Sequence, residues 1–306
     1  MTQNMDTRTV ILAGASGVFG GHVRRVLEAA GHRVLGLGRG AGNELRADLM
    51  DRDGLLRAVD GVTADVVVHA ATALKKPPTR HKDMYATDDL RIGGTRNLLE
   101  AAGLAGARRF IGENIVFGYG YRDFGDHVLT EADPFGVADR DEGFTRHITA
   151  MREKERLALA SGLEAISLRY GLFYGEGGTD ALVAMLRKRQ LPGFDDHGRV
   201  LPWINLADAA TAVLAAMERG RPGEAYNIAD ESELGFGGMV RATAQAFGTP
   251  KPFSVPTWLL VIAPYMHRAA TISLRVSSEK ARRELGWKPA YPTVADGLRA
   301  LAGVRG

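Results

Sequence analysis

The chain has 306 residues, enough for one large α/β domain or for a nucleotide-binding domain with a smaller domain attached. It contains no cysteine, which excludes disulfides and metal sites built on thiolates, and its 39 basic and 36 acidic residues leave a net charge of +3. The arginines are scattered and form no basic stripe with interleaved aromatic residues, so we expect no nucleic-acid partner.

The first predicted element is a buried strand, Val10–Ala13, that leads into a glycine-rich turn. Gly14, Gly17 and Gly20 recur every three residues, and the segment from Gly20 to Gly31 has helical periodicity. In such a strand–turn–helix unit the glycines permit the tight turn, the approach of backbone N–H groups to a pyrophosphate, and close packing of helix on strand. We therefore predict a dinucleotide-binding turn formed by Gly14, Ser16, Gly17, Val18, Phe19 and Gly20.

The second predicted strand, Val34–Leu37, is followed by residues that bear on the choice of cofactor. A carboxylate after this strand binds the ribose 2′-hydroxyl of NAD(H), whereas an arginine accommodates the 2′-phosphate of NADP(H). Here Arg39 follows the strand, and the next carboxylate is Glu44. Because a guanidinium offers paired donors that suit phosphate, Arg39 favours NADP(H) over NAD(H). A solvated surface arginine is the alternative interpretation.

The rest of the chain alternates between predicted strands and helices, which indicates a Rossmann-type, doubly wound parallel sheet of the α/β class. The further strands are Asp65–Ala70, Arg109–Gly112, Ala165–Arg169 and Ala225–Ile228, and the further helices are Ile92–Ala102, Thr149–Ser161 and Leu206–Met217. Looser segments follow Gly175, so we expect a small, discontinuous C-terminal substrate-binding domain. The expected boundaries are 1–172 and 206–230 for the dinucleotide-binding domain, and 173–205 and 231–306 for the substrate-binding domain.

Several short motifs in a fixed order cover nearly the whole chain. They are Gly14–Gly20, Asp48-Leu49, His69–Thr72, Gly94–Ala102, Leu168–Gly175, Trp203–Ala210, Tyr226–Asp230 and Glu284–Pro289. With them the chain resembles the extended or atypical short-chain dehydrogenases/reductases of the NAD-dependent epimerase/dehydratase type. The resemblance implies that Asp48 binds the adenine and that Ala70 and Ala71 border the cofactor ribose. It also adds Leu49, Thr72, Met151 and Tyr170 to the cofactor site.

The catalytic motif of that family is where this sequence departs from the pattern. Such enzymes carry Tyr-x-x-x-Lys on the helix after the fifth strand, and the lysine lowers the pKa of the tyrosine one turn away. None of the eight tyrosines here has lysine four positions on. The alignment instead places His147 at the tyrosine position and Met151 at the lysine position. Glu113 or Asn114 falls at the position of the family's Ser/Thr.

We interpret His147 as the first candidate proton donor, since imidazole titrates near neutrality. Tyr119, Tyr121 and Glu113 are the next candidates because they flank the end of the fifth strand. A packing role for His147 and a salt bridge between Glu113 and an arginine such as Arg146 are the alternatives. By resemblance, Tyr174 and Trp203 line the substrate cleft, although either also suits an apolar core.

The functional hypothesis is an NADP(H)-dependent oxidoreductase or epimerase acting on a small-molecule carbonyl or alcohol with a non-standard proton donor. A non-redox lyase or cyclase, or a catalytically silent NADP(H)-binding regulatory protein, remain as alternatives. The resemblance also implies a homodimer that pairs through Gly94–Ala102 and Thr149–Ser161. We expect a cytoplasmic protein with no metal and no membrane partner, because no apolar stretch approaches the roughly 20 residues of a membrane span. The cationic segment Lys75–Lys82 suits an anionic substrate or a solvated loop, and the apolar segment Val255–Ile272 suits a lid or a partner-facing helix.

Overall fold

The protein is described from a computed structural model that covers residues 7–74, 77–193, 195–253, 267–268 and 271–305. Most of the predicted lid, Val255–Ile272, and the lysines at 75 and 76 lie outside the described residues. In chain order, the strands of the described residues are β1 Thr9–Ala13, β2 Arg33–Gly38, β3 Leu45–Arg46, β4 Val66–His69, β5 Arg109–Ile115, β6 Asp123–Leu129, β7 Glu164–Tyr170, β8 Leu172–Tyr174, β9 Trp203–Asn205, β10 Ala225–Ile228 and β11 Ser273–Val276.

Helices separate these strands along most of the chain. The α-helices of the described part are α1 Val18–Ala29, α2 Arg52–Val59, α3 Lys82–Asp89, α4 Thr95–Leu104, α5 Glu142–Leu159, α6 Asp180–Arg187, α7 Leu206–Arg219, α8 Phe236–Ala246, α9 Glu279–Leu285 and α10 Val294–Arg305. One π-helical turn, Leu90–Gly94, joins α3 to α4, and one 3-10 turn, Val116–Tyr119, follows β5.

Seven strands form the central sheet in the order β10-β7-β5-β4-β1-β2-β3, and all neighbouring pairs are parallel. The chain builds outward from β1 to β2 and β3, then crosses back to place β4 on the other side of β1. In a doubly wound sheet a ligand binds at such a switch point, outside the carboxyl ends of the strands. The predicted Rossmann-type parallel sheet is therefore confirmed, and the end of β1 is where a ligand is expected.

Both faces of the sheet are covered, and the side chains of β1 show how. Val10 and Leu12 pack into a core with α1 and α7, whereas Ile11 and Ala13 pack into a second core with α2 and α4. Successive residues of a strand point to opposite faces, so a strand covered on both sides must be apolar throughout. This explains the uninterrupted apolar run that predicted the strand.

Two predicted helix boundaries are wrong. The helix expected to begin at Ile92 begins at Lys82, because α3, the π-helical turn and α4 follow one another without interruption. The helix expected to begin at Thr149 begins at Glu142, because the Asp141 side chain accepts hydrogen bonds from the N–H groups of Gly143 and Phe144 and caps it. Both helices consequently reach farther toward the carboxyl ends of the strands than expected.

Two smaller sheets accompany the central one. β6 pairs with β11 and β8 pairs with β9, each in parallel. β6 belongs to the segment expected in the dinucleotide-binding domain, yet its partner β11 belongs to the segment expected in the substrate-binding domain. Conversely, α9 belongs to the segment expected in the substrate-binding domain, yet its Ala281 and Leu285 pack in the core that contains α1 and α7. No helix in the described part of the chain is long and apolar enough to cross a membrane.

Candidate active site

The turn between β1 and α1 has a backbone that only glycine allows at two positions. Gly14 has φ of 89°, and a Cβ there would lie 2.7 Å from Cα of Ala71. A Cβ on Gly20 would lie 2.1 Å from the carbonyl oxygen of Gly14. The turn is closed by the N–H of Gly17, which donates to that oxygen at 2.9 Å. Steric limits thus hold α1 against the end of β1 and against the strand beside it.

The first turn of α1 is open toward solvent. Ser16, Gly17 and Val18 are exposed, no side chain caps the helix, and its first turn has no acidic residue. The unpaired N–H groups and the positive end of the helix dipole therefore face outward, an arrangement that stabilises an anion. Phe19 points inward instead and stacks on Phe173 with ring centroids 4.9 Å apart.

Beyond β2, the guanidinium of Arg39 lies where the adenosine ribose of a dinucleotide is expected. Arg39 has a side chain that is 70% exposed, and its nearest carboxylate oxygen, on Asp48, lies 3.7 Å away. The other carboxylate nearby, Glu44, accepts two hydrogen bonds from Arg24, which lower the pKa of Glu44 to about 2. Arg24 therefore neutralises Glu44, and Arg39 is an exposed cation at this edge, next to the exposed Arg46, which donates to the Arg39 carbonyl.

The wall opposite the glycine turn is formed by the residues that follow β4 and β3. The N–H of Ala70 donates to the carbonyl of Ala13 at 2.9 Å, which continues the pairing of β4 with β1 past its last residue. Thr72 Oγ1 accepts from the N–H of Leu74, and Asp48 Oδ1 accepts from the N–H of Met50. Leu49 is buried against α4, where its carbonyl accepts from Asn97. These contacts bring Asp48, Leu49, Ala70, Ala71 and Thr72 to one edge of the sheet.

His147 lies in α5 and is fully buried, with both ring nitrogens in contact with other side chains. Its Nδ1 lies 2.6 Å from Oδ2 of Asp88, which is itself buried in α3. Its Nε2 lies 3.0 Å from Nδ1 of His81, just before α3. His147 thus joins a buried carboxylate to a second imidazole, whose side chain is 23% exposed. The structure does not place His147 on the surface of a cleft.

Glu113 and Lys154 form a second buried pair near the end of β5. Nζ of Lys154 donates to Oε2 of Glu113 at 3.0 Å, and the two side chains are 3% and 18% exposed. Burial lowers the pKa of Lys154, the charge of Glu113 raises it, and the charge of Arg91 lowers it. The lysine therefore fixes the Glu113 carboxylate at the carboxyl edge of the sheet. Glu113 does form a salt bridge, but its partner is Lys154, whereas Arg146, the arginine named for it, pairs with Asp89.

Asn114 and Met151 bind α5 to the sheet. The side-chain amide of Asn114 donates to the carbonyl of Met151 at 2.9 Å, and both residues are buried. The Met151 side chain lies in an apolar cluster that includes Tyr121, Phe144 and Ile148. In this position the thioether makes only packing contacts, so it supplies no hydrogen bond of the kind that a lysine gives a ribose.

The structure does not bring two other predicted site residues to the cleft. The Tyr119 hydroxyl is buried, donates to Oδ1 of Asn227 at 2.9 Å, and accepts from Arg169 at 2.8 Å. Burial raises its pKa to about 12, so the phenol holds its proton inside this network. Tyr170 is fully buried and donates to the carbonyl of Ala209. Both hydroxyls thus bond to groups inside the core, and the catalytic role of Tyr119 and the cofactor contact of Tyr170 stay predictions.

Tyr174 and Trp203, the predicted substrate-binding residues, lie in the apolar cluster beyond β8 and β9. Tyr174 donates to the carbonyl of Thr293, and the indole N–H of Trp203 donates to the carbonyl of Leu234 at 2.8 Å. Both side chains are almost completely buried. The surroundings of these two aromatic residues are therefore those of an apolar core, which is the alternative interpretation of both.

Sequence reasoning missed Asp88 as a partner of the candidate histidine and treated His81 only as a cation. The two residues are seven positions apart, two helical turns, which places them on one face of a helix. The spacing of His81 and Asp88 was not recognised as helical, because the helix was expected to begin only at Ile92. Lys154 was also missed, since its partner Glu113 is 41 residues away in sequence. Among the described residues no group of three or more His, Asp or Glu side chains could hold a metal ion.

Comparison with known proteins is consistent across sequence and structure. The model of the NAD dependent epimerase/dehydratase family matches residues 10–229. A 3-diazoavenalumate denitrifying reductase from a Streptomyces species is 34% identical, over 94% of this chain and 98% of that enzyme. A UDP-glucose 4-epimerase from Lacticaseibacillus casei is 26% identical, over 94% of this chain and 93% of that enzyme.

Two solved structures share the fold over nearly their whole length. A human epimerase family protein, crystallised with NADPH, superposes with a TM-score of 0.80 at 19% identity and covers 96% of this chain and 99% of that one. The UDP-glucose 4-epimerase of Thermotoga maritima, crystallised with UDP-glucose, gives a TM-score of 0.77 at 18% identity and covers 96% and 97%.

Proposed function

The chain belongs to the NAD-dependent epimerase/dehydratase family, and we propose that it is an NADP(H)-dependent reductase of a small molecule. The observation that carries the proposal is the open glycine turn at the start of α1, with Arg39 as an exposed cation directly after β2. The N–H groups of this turn suit a pyrophosphate, since the N-cap Gly17 has no side chain to bond them and the first turn of α1 has no acidic residue. A reductase, rather than an epimerase, is favoured because the relative at 34% identity is a reductase.

The same residues account for the cofactor contacts. Arg39 would bind the 2′-phosphate, Asp48 and Leu49 the adenine, and Ala70, Ala71 and Thr72 would border the ribose. Glu113 is held by Lys154 and offers carboxylate oxygens at the edge of the sheet where the nicotinamide end is expected. The bound cofactor would supply a hydride to an electrophilic carbon of the substrate.

The substrate must also gain a proton, and the buried histidine pair is the part of the site suited to supply it. A carbonyl carbon takes the hydride and its oxygen takes the proton. The Asp88 carboxylate lies 2.6 Å from Nδ1 of His147 in a buried site and fixes the orientation of the ring. His147 thus belongs to the proton-transfer machinery, although the ring itself is enclosed.

The Streptomyces relative favours a second candidate reaction, the reduction of a diazo carbon. In that reaction R₂C=N₂ takes a proton and a hydride to give R₂CH₂, while the C–N bond breaks and N₂ leaves with its electron pair. No alkoxide forms on carbon, so a tyrosine whose pKa is lowered by a neighbouring lysine is not needed. The absence of Tyr-x-x-x-Lys from this chain agrees with such a substrate.

The test is a turnover assay with NADPH against a panel of small aldehydes, ketones and stabilised diazo compounds. Oxidation of NADPH is followed by absorbance, and release of N₂ by mass spectrometry of the headspace gas. We expect oxidation of NADPH with at least one class and a loss of about 10²–10⁴-fold in His147→Phe with unchanged NADPH binding. The exposed His127, which pairs with Asp133, gives a matched control, and His127→Phe should keep full activity. Binding of NADPH without turnover of any compound would contradict the proposal and favour the regulatory or non-redox alternatives.

A further inference from the structure

Glu113 lies at the carboxyl edge of the central sheet, level with the glycine turn. The registers of β1, β4 and β5 align three residues in one row across the sheet, Ala13, His69 and Gly112. The next row runs from Gly14 through Ala70 to Glu113. Gly14 and Glu113 are therefore separated by two strand spacings, roughly 10 Å.

One oxygen of the Glu113 carboxylate is open. Oε2 accepts from Nζ of Lys154 at 3.0 Å, whereas Oε1 has no hydrogen-bond partner within the described part of the chain. Oε1 is not one of the buried unpaired atoms of those residues either, so solvent reaches it. β5 has β4 and β7 at its sides and apolar cores on both faces, so solvent reaches its side chains only near its ends. Oε1 therefore opens at the edge where a doubly wound sheet binds its ligand.

The Glu113 side chain belongs to the face of the sheet that carries α1. It follows Ile111 by two residues, and Ile111 packs in the core with α1 and α7. Burial raises the pKa of Tyr170, and the negative charge of Glu113 raises it further. The Tyr170 ring packs edge-on against Phe19, in the first turn of α1, with centroids 5.2 Å apart. The carboxylate and the open N–H groups of α1 thus lie on the same side of the sheet.

Lys154 holds the carboxylate from behind. It belongs to α5, which packs on the opposite face of the sheet. Its ammonium can meet the carboxylate because β4 ends at His69, one row before Glu113. The lysine side chain is 3% exposed and that of Glu113 is 18% exposed. The ion pair therefore has its positive end inside the protein and its negative end toward the crevice.

The order of the strands decides which part of a dinucleotide Glu113 faces. Arg39 follows β2, on one side of β1, and suits the adenosine end. With the pyrophosphate at the turn after β1, the nicotinamide end belongs on the other side, over β4 and β5. The group next to the pyrophosphate on that side is a ribose, whose hydroxyls are hydrogen-bond donors. Met151 packs in an apolar cluster and offers them no partner.

We propose that Glu113 is a cofactor-binding residue that accepts a hydrogen bond from the ribose on the nicotinamide side, and that Lys154 is its positioning residue. The inference rests on the proposed function, because it requires NADPH in the crevice. Oε1 accepts from the ribose hydroxyl while Oε2 keeps its bond to Lys154, so one carboxylate joins the cofactor to α5.

Truncated cofactors test this assignment by isothermal titration calorimetry, without turnover. Adenosine 2′-phosphate 5′-diphosphate ends at the pyrophosphate, and 2′-phospho-ADP-ribose adds the ribose without the nicotinamide. Glu113→Ala should weaken the binding of NADPH and of 2′-phospho-ADP-ribose by the same factor, about 10- to 150-fold. It should leave the binding of adenosine 2′-phosphate 5′-diphosphate unchanged. If this variant fails to fold because Lys154 is left unpaired, the double variant Glu113→Ala/Lys154→Met should give the same pattern.

Lys154→Met tests the positioning role. It should weaken the same two ligands, and adding it to Glu113→Ala should cost nothing further, because the lysine acts through the carboxylate. Glu153 gives a matched control, since it is another glutamate of α5 that pairs with a cation, Arg156. Glu153→Ala should bind all three ligands as the unmodified protein does.

Three results would overturn the inference. They are unchanged binding in Glu113→Ala, an equal loss for all three ligands, which would mean a structural role, and a loss confined to NADPH, which would assign the carboxylate to the nicotinamide. Failure of the proposed function looks different, because the unmodified protein would then bind NADPH without oxidising it, or would bind none of the three ligands. Binding of none of them would overturn the inference as well.

Discussion

We expect Arg39 to give the protein its preference for NADPH over NADH, and Arg39→Ala tests this expectation. A hydrogen bond between a guanidinium and a charged group contributes about 1.5–3 kcal/mol, and the 70% exposure of this side chain favours the lower end. To reach a 2′-phosphate, Arg39 gives up its contact with Asp48 at 3.7 Å, and an exposed ion pair of this kind contributes about 0–1 kcal/mol.

The balance leaves about 1–2 kcal/mol in favour of NADPH over NADH, a preference of about 5- to 30-fold. Isothermal titration calorimetry of the two cofactors measures it directly. Arg39→Ala should bring the dissociation constant of NADPH up to that of NADH and leave NADH nearly unchanged, because NADH has no phosphate at this position. Higher salt should weaken the preference in the unmodified protein, since the contact is exposed.

Arg57→Ala is the matched control because Arg57 is an exposed arginine on α2 and its removal changes the net charge equally. It should leave the preference intact. Equal dissociation constants for NADPH and NADH in the unmodified protein would refute the reasoning, and so would a preference that survives Arg39→Ala.

The other predictions concern the turn, a buried carboxyl and assembly. Gly20→Ala should destabilise the protein by about 1–3 kcal/mol or more, because the added Cβ meets the backbone of Gly14, whereas Gly21→Ala, which meets nothing within 4 Å, should be neutral or stabilising by about 0.5–1 kcal/mol in thermal unfolding. Burial raises the pKa of Asp230 from 3.8 to about 7, so this carboxyl makes the protein lose stability as the pH rises from 4 to 7. Asp230→Asn should remove that loss, with a gain of about 2–4 kcal/mol at pH 8 and little change at pH 4 in denaturant unfolding, and an equal effect at both pH values would contradict the assignment. Sedimentation should show a dimer, as the resemblance implies for α4 and α5, and a monomer at micromolar concentration would speak against it.

The fold and the proposed cofactor-binding residues could be predicted from short stretches of sequence. The apolar run of β1 and the glycine spacing are properties of contiguous residues, and backbone sterics give each of them one structural meaning. Gly14 and Gly20 lie where a side chain would strike the backbone, which is why their spacing could be interpreted without coordinates. The helix boundaries were less predictable because a cap such as Asp141 lies outside the apolar pattern, and the π-helical turn at Leu90 interrupts the 3.6-residue repeat that indicates a helix.

Only the tertiary structure decided the partners of the polar residues. His147 was identified from its place in a motif, but its bonds to Asp88 and His81 join residues 59 and 66 positions away. Tyr119 and Glu113 lie near each other in sequence, yet one turns into the network of Arg169 and the other meets Lys154. A side chain that lies near a strand end can point into the core or toward the cleft, and the packing of the whole chain determines which. The sequence by itself therefore determined the nucleotide-binding scaffold, whereas long-range packing decided which groups face one another in it.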